Sequence, residues 1–140
     1  KSTLEKPDPL NREERDEMRT HPNIGKALLS TLPWCEAAAT VAETHHERWD
    51  GSGYPSGLRG TLIPLEGRII AVADSFDAMT SARSYQEALS AERALDEIVA
   101  AAGALYDPAV VDAFTSAIRN GTVHRIFSGG SRLPHLALVT

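Results

Sequence analysis

The sequence predicts an all-α protein built as a helical bundle, and three observations lead to this. Apolar residues recur at helical spacing, most clearly over residues 65–83. Residues that commonly cap helices stand before three segments: Asn11, Ser90 and Asp107. The 140 residues are enough for one domain with a single core. We therefore expect one helical domain.

Two short helices are expected near the start of the chain. Asn11 followed by Glu14 has the spacing of a capping box, with Asn in place of the usual Ser or Thr. This pair should open a polar helix that runs to about Thr20. A second short helix is expected after Pro22, since proline is tolerated in the first turn of a helix.

A third helix and a glycine-rich loop follow. The helix is predicted from Cys35 to about Glu47, because one face of it carries a repeating stripe: Ala38, Val41, Ala42 and His45. His45 should therefore point toward the interior. Residues 50–64 contain four glycines and two prolines, so they should form an irregular loop with positive φ at several positions.

The helix over residues 65–83 is predicted to be apolar on two faces. One stripe contains Leu65, Ile69, Val72, Phe76 and Met79. At about 100° per residue, Asp74 falls on the opposite face, where its neighbours are apolar or small. These neighbours are Gly67, Ile70, Ala71 and Ala78. We therefore expect a carboxylate on an apolar face, where it needs an ion pair or a bound cation.

Two more helices complete the predicted fold. One begins at Ser90 and is expected through residue 105. Asp107 and Pro108 have the residue types of an N-cap and first helical position, so the last helix should run from there to about Asn120. Residues 121–140 show weak periodicity and stay unassigned.

Composition excludes several classes of protein. The chain has 14 basic and 19 acidic residues, a formal charge of -5, and no basic run suited to nucleic acid. It has no apolar stretch of the roughly 20 residues that span a bilayer and no signal-peptide core, so a cytoplasmic location is expected. The single Cys35 leaves no cysteine-rich metal site. Any metal must therefore be held by histidine and carboxylate.

Four side chains are candidate ligands for such a metal: His21, His45, His46 and Asp74. Imidazole and carboxylate are the ligands of metals that activate water for phosphate ester cleavage. The four residues lie on three segments, as an interior site of a helical bundle requires. Each also has an ordinary alternative. A histidine can cap a helix or fill a core, and Asp74 could pair with Arg68 or Arg83.

Three further acidic residues are open to two interpretations. Asp77 lies one turn after Asp74 and could orient a ligating histidine or be solvated. Glu47 and Asp50 could orient ligands or cap helix ends. The spacing alone does not separate these roles.

Three stretches together resemble the HD-GYP family, a branch of the HD phosphohydrolase superfamily. The run HHERWDGSGYPSGLRGTLIPLEGRIIAVADSFDAMTSARSY is similar to the family's main motif. Upstream, MRTHPNIGKALL resembles a helix with a lone histidine before proline; downstream, AAGALYDPAVVDAF resembles the final helical segment. The similarity covers roughly residues 1–118. We assign residues 1–120 to a partial HD-GYP domain of the HD phosphodiesterase helical type and leave residues 121–140 as a tail.

The resemblance implies a role for each matching residue in a metal centre. It implies metal ligation by His21, His45, His46 and Asp74. Independently of the resemblance, we expect Asp77 and Arg68 to support these ligands from behind. Members of the family bind two or three divalent transition metals, often iron or manganese, and hydrolyse cyclic di-GMP. They are commonly output domains of bacterial signalling proteins.

The resemblance also implies contacts with substrate and partners. Gly53, Tyr54 and Pro55 match the tripeptide that names the family, which lies in a loop near the active site and is implicated in protein contacts. Tyr54 should stand at the rim of the cleft. Arg83 matches a basic residue that contacts substrate phosphate, although it could instead complement the dipole at a helix end.

The sequence also departs from the family pattern. The naming His-Asp pair, which is followed by a Gly-Lys, lies upstream in the family, and no His-Asp dipeptide occurs in this chain. We therefore expect a domain truncated at its N-terminal side, inactive alone, whose exposed apolar surface favours a homodimer. After Arg83, Ser84 and Gln86 replace a proline and a basic residue. The alternative is an inactive scaffold that binds a dinucleotide or a partner.

Overall fold

The fold consists of helices throughout the parts that the structure describes. This structure is a computed structural model that describes residues 11–81 and 88–121. Its α-helices are α1 (Arg12–Met18), α2 (His21–Leu29), α3 (Glu36–Thr44), α4 (Leu65–Thr80), α5 (Ala91–Ala100) and α6 (Pro108–Arg119), with a short 3-10 helix at Gly60–Leu62. The all-α prediction is confirmed. Arg83, Ser84, Gln86 and the tail from residue 122 lie outside the described residues.

The predicted capping residues begin their helices. At α1, the Glu14 amide donates to Asn11 Oδ1 at 2.9 Å and the Asn11 amide donates to Glu14 Oε2 at 2.7 Å, which is a complete capping box. Ser90 Oγ accepts from an amide of α5, and Asp107 Oδ1 accepts from one of α6. Such caps are each worth about 1 kcal/mol, so local sequence stabilises these helix starts.

Two helices end earlier than the sequence predicted. The third helix, expected to about Glu47, ends at Thr44, where the Glu47 amide donates to the Thr44 carbonyl at 3.0 Å and tightens the turn. The helix expected through residue 105 ends at Ala100. Gly103 has a φ of 81°, which a continuing helix does not allow, and its amide donates to the Tyr106 carbonyl at 2.8 Å.

The core lies where α4 meets α5 and α6. Val72, Ile98 and Val111 are at most 1 % exposed, and Phe76 and Phe114 pack against them with ring centroids 5.3 Å apart. Helix α4 thus buries the middle of its predicted stripe. The N-terminal end of that stripe is open to solvent, because Leu65 is 51 % and Ile69 is 45 % exposed.

Helices α3 and α4 approach closely at Gly67. A Cβ atom at Gly67 would overlap Thr44 Oγ1 and lie 2.9 Å from Thr44 Cβ. The missing side chain therefore brings the C-terminal end of α3 directly against α4. This approach sets His45 and His46 beside the face of α4 that carries Asp74.

A buried ion pair connects the second half of the fold. Arg68 Nη1 of α4 lies 2.7 Å from Asp107 Oδ2, with side chains 17 % and 6 % exposed. The Arg68 guanidinium also lies 6.0 Å from the ring centroid of Trp49. The Trp49 amide donates to the Leu105 carbonyl at 3.0 Å. Helix α4, the N-terminus of α6 and the loop after the histidine pair are thereby tied together.

Candidate metal centre

Three histidines from separate parts of the chain converge at one point. His21 is the first residue of α2, His45 follows the last residue of α3, and His46 comes next in the chain. His21 Nε2 lies 3.4 Å from His45 Nε2 and 3.1 Å from His46 Nε2. All three side chains are half-buried. The contact between α2 and α3 therefore joins the lone histidine to the histidine pair.

Backbone carbonyls fix the orientation of two of these rings. His21 Nδ1 lies 2.6 Å from the Met18 carbonyl, and His45 Nδ1 lies 3.0 Å from the Ala42 carbonyl. A carbonyl oxygen can only accept, so each Nδ1 carries the hydrogen. In the neutral imidazole the Nε2 atom then has a free lone pair. Two lone pairs that face each other at 3.4 Å cannot hydrogen-bond.

The spacing and chemistry of the three nitrogens fit a metal ion. Imidazole nitrogens that share one ion at bond lengths of about 2.0–2.1 Å lie roughly 3 Å apart, close to the two separations seen here. One donor atom from each of the three histidines lies within 4.8 Å of the others. A cation at this point would relieve the opposition of the lone pairs. The cluster thus fits one divalent transition metal.

His46 is held in its neutral form. Burial, followed by the nearby His45 and His21, lowers the pKa of His46 from 6.5 to about 4. The ring of His46 lies 4.0 Å from that of His45 and 4.9 Å from that of His21, measured between centroids. Because a metal binds only the unprotonated nitrogen, His46 is ready to act as a ligand at neutral pH.

Asp74 lines a pocket together with the histidine pair and does not belong to the tight cluster. His45, His46, Arg48 and Asp74 help to line a pocket of about 150 Å³. Within the part of the chain that the structure describes, the close group of candidate ligands contains the three histidines without Asp74. The side chain of Asp74 is exposed to solvent, so the expected need for an ion pair or a bound cation does not follow from burial.

The side chains of Arg68 and Asp77 contact residues other than Asp74 and the histidines. Arg68 pairs with Asp107, so the alternative in which Asp74 forms an ion pair with Arg68 does not hold. Asp77 is exposed, and its Oδ1 accepts from Ser81 Oγ at 3.3 Å near the end of α4. Asp77 does not orient His21 or His45, because the Nδ1 atoms of both rings bond to backbone carbonyls.

The Gly53-Tyr54-Pro55 loop packs on the histidine cluster. The Tyr54 ring stacks on the His46 ring at 4.8 Å between centroids and 25° between planes. The Arg19 guanidinium lies 5.3 Å from the centroid of the same Tyr54 ring. Burial raises the pKa of Tyr54, and the charges of Arg19 and Arg48 oppose that rise. Tyr54 therefore lies directly against one of the candidate ligands.

Glu47 has a role that the sequence left open. It is 4 % exposed, and its carboxylate accepts from the amides of Ser56 at 2.7 Å and Leu58 at 3.0 Å. It caps no helix and is not a member of the histidine cluster. This role could have been predicted from the position of Glu47 just before a glycine-rich loop, because the amides of such a loop have no regular partners and need an acceptor.

Asp50 acts on its own turn. Its Oδ1 accepts from the Ser52 amide at 2.8 Å, and hydrogen bonds from Ser52 hold the pKa of Asp50 below its ordinary value. The side chain is exposed. Asp50 therefore shapes the start of the loop. The bond with Ser52 caps no helix and reaches no candidate ligand.

A comparison with protein families identifies the family to which the chain belongs. The family model described as HD domain matches residues 2–110 of the 140. The chain belongs to the HD domain family. The resemblance read from the sequence is thus confirmed at the level of the HD superfamily, whose domains are metal-dependent.

Relatives of this HD domain include named cyclic dinucleotide phosphodiesterases. A cyclic di-GMP phosphodiesterase response regulator of Xanthomonas campestris is 51 % identical over 114 residues, which is 80 % of this chain and 30 % of that protein. A cyclic di-GMP phosphodiesterase of Thermotoga maritima is 50 % identical over 113 residues, 79 % of this chain and 31 % of that protein. The chain spans less than a third of either relative.

A solved structure also aligns with this HD domain. A cyclic GMP-AMP specific phosphodiesterase of Vibrio cholerae matches with a TM-score of 0.67 and 28 % identity, over 83 % of this chain and 27 % of that chain. The HD-type helical fold is therefore shared between them. As for membranes, none of the helices in residues 11–81 and 88–121 has the length and apolar composition of a transmembrane span.

Proposed function

We propose that this HD domain forms the histidine part of the active site of a metal-dependent cyclic dinucleotide phosphodiesterase in bacterial signalling. The observation that carries the proposal is the convergence of Nε2 atoms from His21, His45 and His46 at 3.1 and 3.4 Å. Cyclic di-GMP is the proposed substrate, supported by the names of relatives at 51 % and 50 % identity.

The three histidines are proposed to hold one divalent ion of iron or manganese. Asp74, which lines a pocket together with His45 and His46, is proposed as a further ligand in a centre of two or three ions. Such ions, when bound, lower the pKa of a water and offset the charge that builds on a phosphate in hydrolysis. The Nδ1 hydrogen bonds of His21 and His45 would keep their Nε2 atoms available to such an ion.

Basic side chains near the pocket are proposed to bind the phosphates of the substrate. Arg48 lines the pocket with the histidine pair, and Arg19 lies over the Tyr54 ring, which stacks on His46. Arginine offers a planar set of donors that suits phosphate oxygens. Arg83 is proposed to make a further phosphate contact, although it lies outside the described residues.

The first experiment measures metal binding by the 140-residue chain. Titration of the anaerobically purified chain with Mn²⁺ in a calorimeter should show at least one ion per chain, and His45→Ala should abolish this binding. Asn23→Ala is the control, since Asn23 is an exposed neighbour on α2. Unchanged binding by His45→Ala would contradict the proposed centre.

The second experiment measures hydrolysis of cyclic di-GMP by the protein at the full length of its gene. Asp74→Asn should lower turnover at least about tenfold, as for other lost metal-site groups. Asp77→Asn should leave turnover near wild type, because Asp77 is one turn away and bonds to Ser81. Hydrolysis of 3'3'-cGAMP in preference to cyclic di-GMP would show that the proposed substrate is wrong.

A binding module without catalysis is the second candidate function. It is motivated by the sequence, which contains no His-Asp dipeptide in its 140 residues. A full-length protein that binds Mn²⁺ and cyclic di-GMP but leaves the dinucleotide uncleaved would support this function over the first.

We also propose where the protein is located and how it assembles. We propose a cytoplasmic protein whose Gly53-Pro55 loop meets a protein partner and whose chain forms a homodimer. Exposed apolar side chains along α2 and after it support self-association, since Leu28 is 66 % and Trp34 is 83 % exposed. Light scattering should report a dimer, and Trp34→Ser should shift it toward the monomer. A monomer at high concentration would contradict this.

A further inference from the structure

A buried carboxylate supports the loop that covers the histidine cluster. Glu47 is 4 % exposed and has no cationic partner among the ion pairs of the described residues. Its two oxygens accept instead from the amides of Ser56 and Leu58 at 2.7 and 3.0 Å. A buried charge is costly unless hydrogen bonds satisfy it, so these two bonds strongly hold the far end of the loop.

The near end of the loop is held by close packing of its backbone. A Cβ atom at Gly53 would overlap the Arg48 amide nitrogen and lie 2.6 Å from both Glu47 Cα and the His46 carbonyl oxygen. The next amide, that of Tyr54, donates to the His46 carbonyl at 3.2 Å. The loop therefore turns back onto the residues that begin it.

Between these two attachments stands Tyr54. Its ring stacks on the His46 imidazole at 4.8 Å, nearly parallel at 25°. Backbone carbonyls orient the rings of His21 and His45, whereas the His46 ring, within the described part of the chain, contacts His21 Nε2 and bonds to no backbone carbonyl. The stack with Tyr54 thus orients the His46 ring, as the Nδ1 hydrogen bonds orient the rings of His21 and His45.

We propose that Glu47 is a positioning residue: its clamp on the loop presses Tyr54 onto His46 and so directs His46 Nε2 toward His21. The inference rests on the proposed metal centre and deepens it. Groups that orient metal ligands without touching the metal commonly change affinity by 10–100-fold. Glu47 therefore acts on the site through Tyr54 and contacts neither metal nor substrate.

The test is a double-mutant cycle of Mn²⁺ affinity in the full chain. Glu47→Gln replaces one acceptor oxygen by an NH₂ group, which cannot accept from an amide. Tyr54→Leu removes the stacked ring, and Tyr54→Phe keeps it. Glu47→Gln and Tyr54→Leu should each weaken Mn²⁺ binding about tenfold, and the double variant should weaken it by about tenfold rather than hundredfold.

Matched controls separate this effect from general damage. Glu43→Gln changes a carboxylate of α3 that pairs with Lys26 at 2.7 Å, away from the loop, and should leave the affinity unchanged. Tyr54→Phe should also bind as the wild type does. Circular dichroism reports folding. If Glu47→Gln does not fold, Glu47→Asp retracts the carboxylate by one methylene and should give a smaller loss.

A second readout does not depend on metal. In the metal-free chain, the ring protons of His46 should carry a ring-current shift from Tyr54 in NMR spectra, and Glu47→Gln should reduce it as Tyr54→Leu does. If the wild type binds no Mn²⁺, the proposed centre fails while this readout still tests Glu47. Unmoved His46 signals in Glu47→Gln, or multiplicative losses in the cycle, would overturn the inference.

Discussion

His21 Nε2 and His46 Nε2 lie 3.1 Å apart, although 25 residues separate the two histidines in the chain. The contact depends on α2 and α3 packing side by side, since each histidine stands at or just beyond a helix end. Nitrogen atoms at this distance share either a hydrogen or a cation. The packing of α2 against α3 therefore brings the Nε2 atoms of these histidines together.

Metal binding should stabilise the folded chain. At a free Mn²⁺ concentration of a hundred times Kd, the free energy of unfolding should rise by about 2.7 kcal/mol, because the unfolded chain holds the histidines apart. Urea denaturation with Mn²⁺ and with EDTA measures the difference. The variant His21→Ala should lose the stabilisation by Mn²⁺, and Asn23→Ala should keep it. Equal gains in the two variants would mean that Mn²⁺ binds elsewhere.

The metal-free chain should lose stability in mildly acidic solution. The pKa of His46 is about 4 in the fold and 6.5 ordinarily, so the unfolded state binds its proton more readily. The contribution of His46 to the free energy of unfolding is therefore fully present above pH 6.5, and it declines as the pH falls from 6.5 toward 4. Urea midpoints measured in EDTA across this range check the slope.

The variant His46→Asn should flatten that slope. The lowered pKa of Asp50 has its effect below the ordinary 3.8, so Asp50→Asn should leave the window above pH 4 unchanged. A pH dependence that is identical in wild type and His46→Asn would contradict the assignment.

The Arg68 and Asp107 pair should matter far more than the ion pair between Lys26 and Glu43. Asp107→Ala leaves Arg68 buried without its 2.7 Å partner and uncaps α6, so we expect a loss of about 3–5 kcal/mol. Asp107→Asn keeps an acceptor for the cap and should cost less. Lys26→Met breaks a pair whose lysine is 47 % exposed and should cost under about 1 kcal/mol.

Equilibrium urea unfolding compares these three variants with the wild type. Similar losses for Asp107→Ala and Lys26→Met would show that the buried pair has no special weight in this fold.

Gly53→Ala should displace the loop. The added methyl group would overlap the Arg48 amide and lie 2.6 Å from the His46 carbonyl, and both are backbone atoms that cannot turn aside. We expect a loss of about 1–3 kcal/mol, as for other overpacked sites. Ser52→Ala, at an exposed neighbouring position, should change stability by under about 0.5 kcal/mol. Thermal unfolding measures both, and equal midpoints would contradict the close packing.

Much of the fold followed from local sequence. The capping residues Asn11, Ser90 and Asp107 begin α1, α5 and α6 because a helix start depends mainly on a few adjacent residues. Helix ends were less predictable. The alanines before Gly103 favour helix, and the turn that bonds Gly103 to Tyr106 forms in the folded chain.

The candidate site was predictable in its members and not in its arrangement. The histidines were identified by type and family resemblance, while their separations depend on α2–α3 packing. The exposure of Asp74 was not predictable, because periodicity tells which residues share a face and not which neighbours cover that face. Arg68 selects Asp107, 39 residues away, rather than a partner on its own helix, and no local pattern specifies that choice.

Different parts of the chain should tolerate changes of length very differently. Residues 30–34 between α2 and α3 are exposed. Residues 47–58, by contrast, are fastened by the Glu47 carboxylate at one end and by the Gly53 backbone contact near the other. Insertions that arise in evolution or in the laboratory should therefore survive between the helices. A single residue added between His46 and Leu58 should dismantle the clamp while the helices persist.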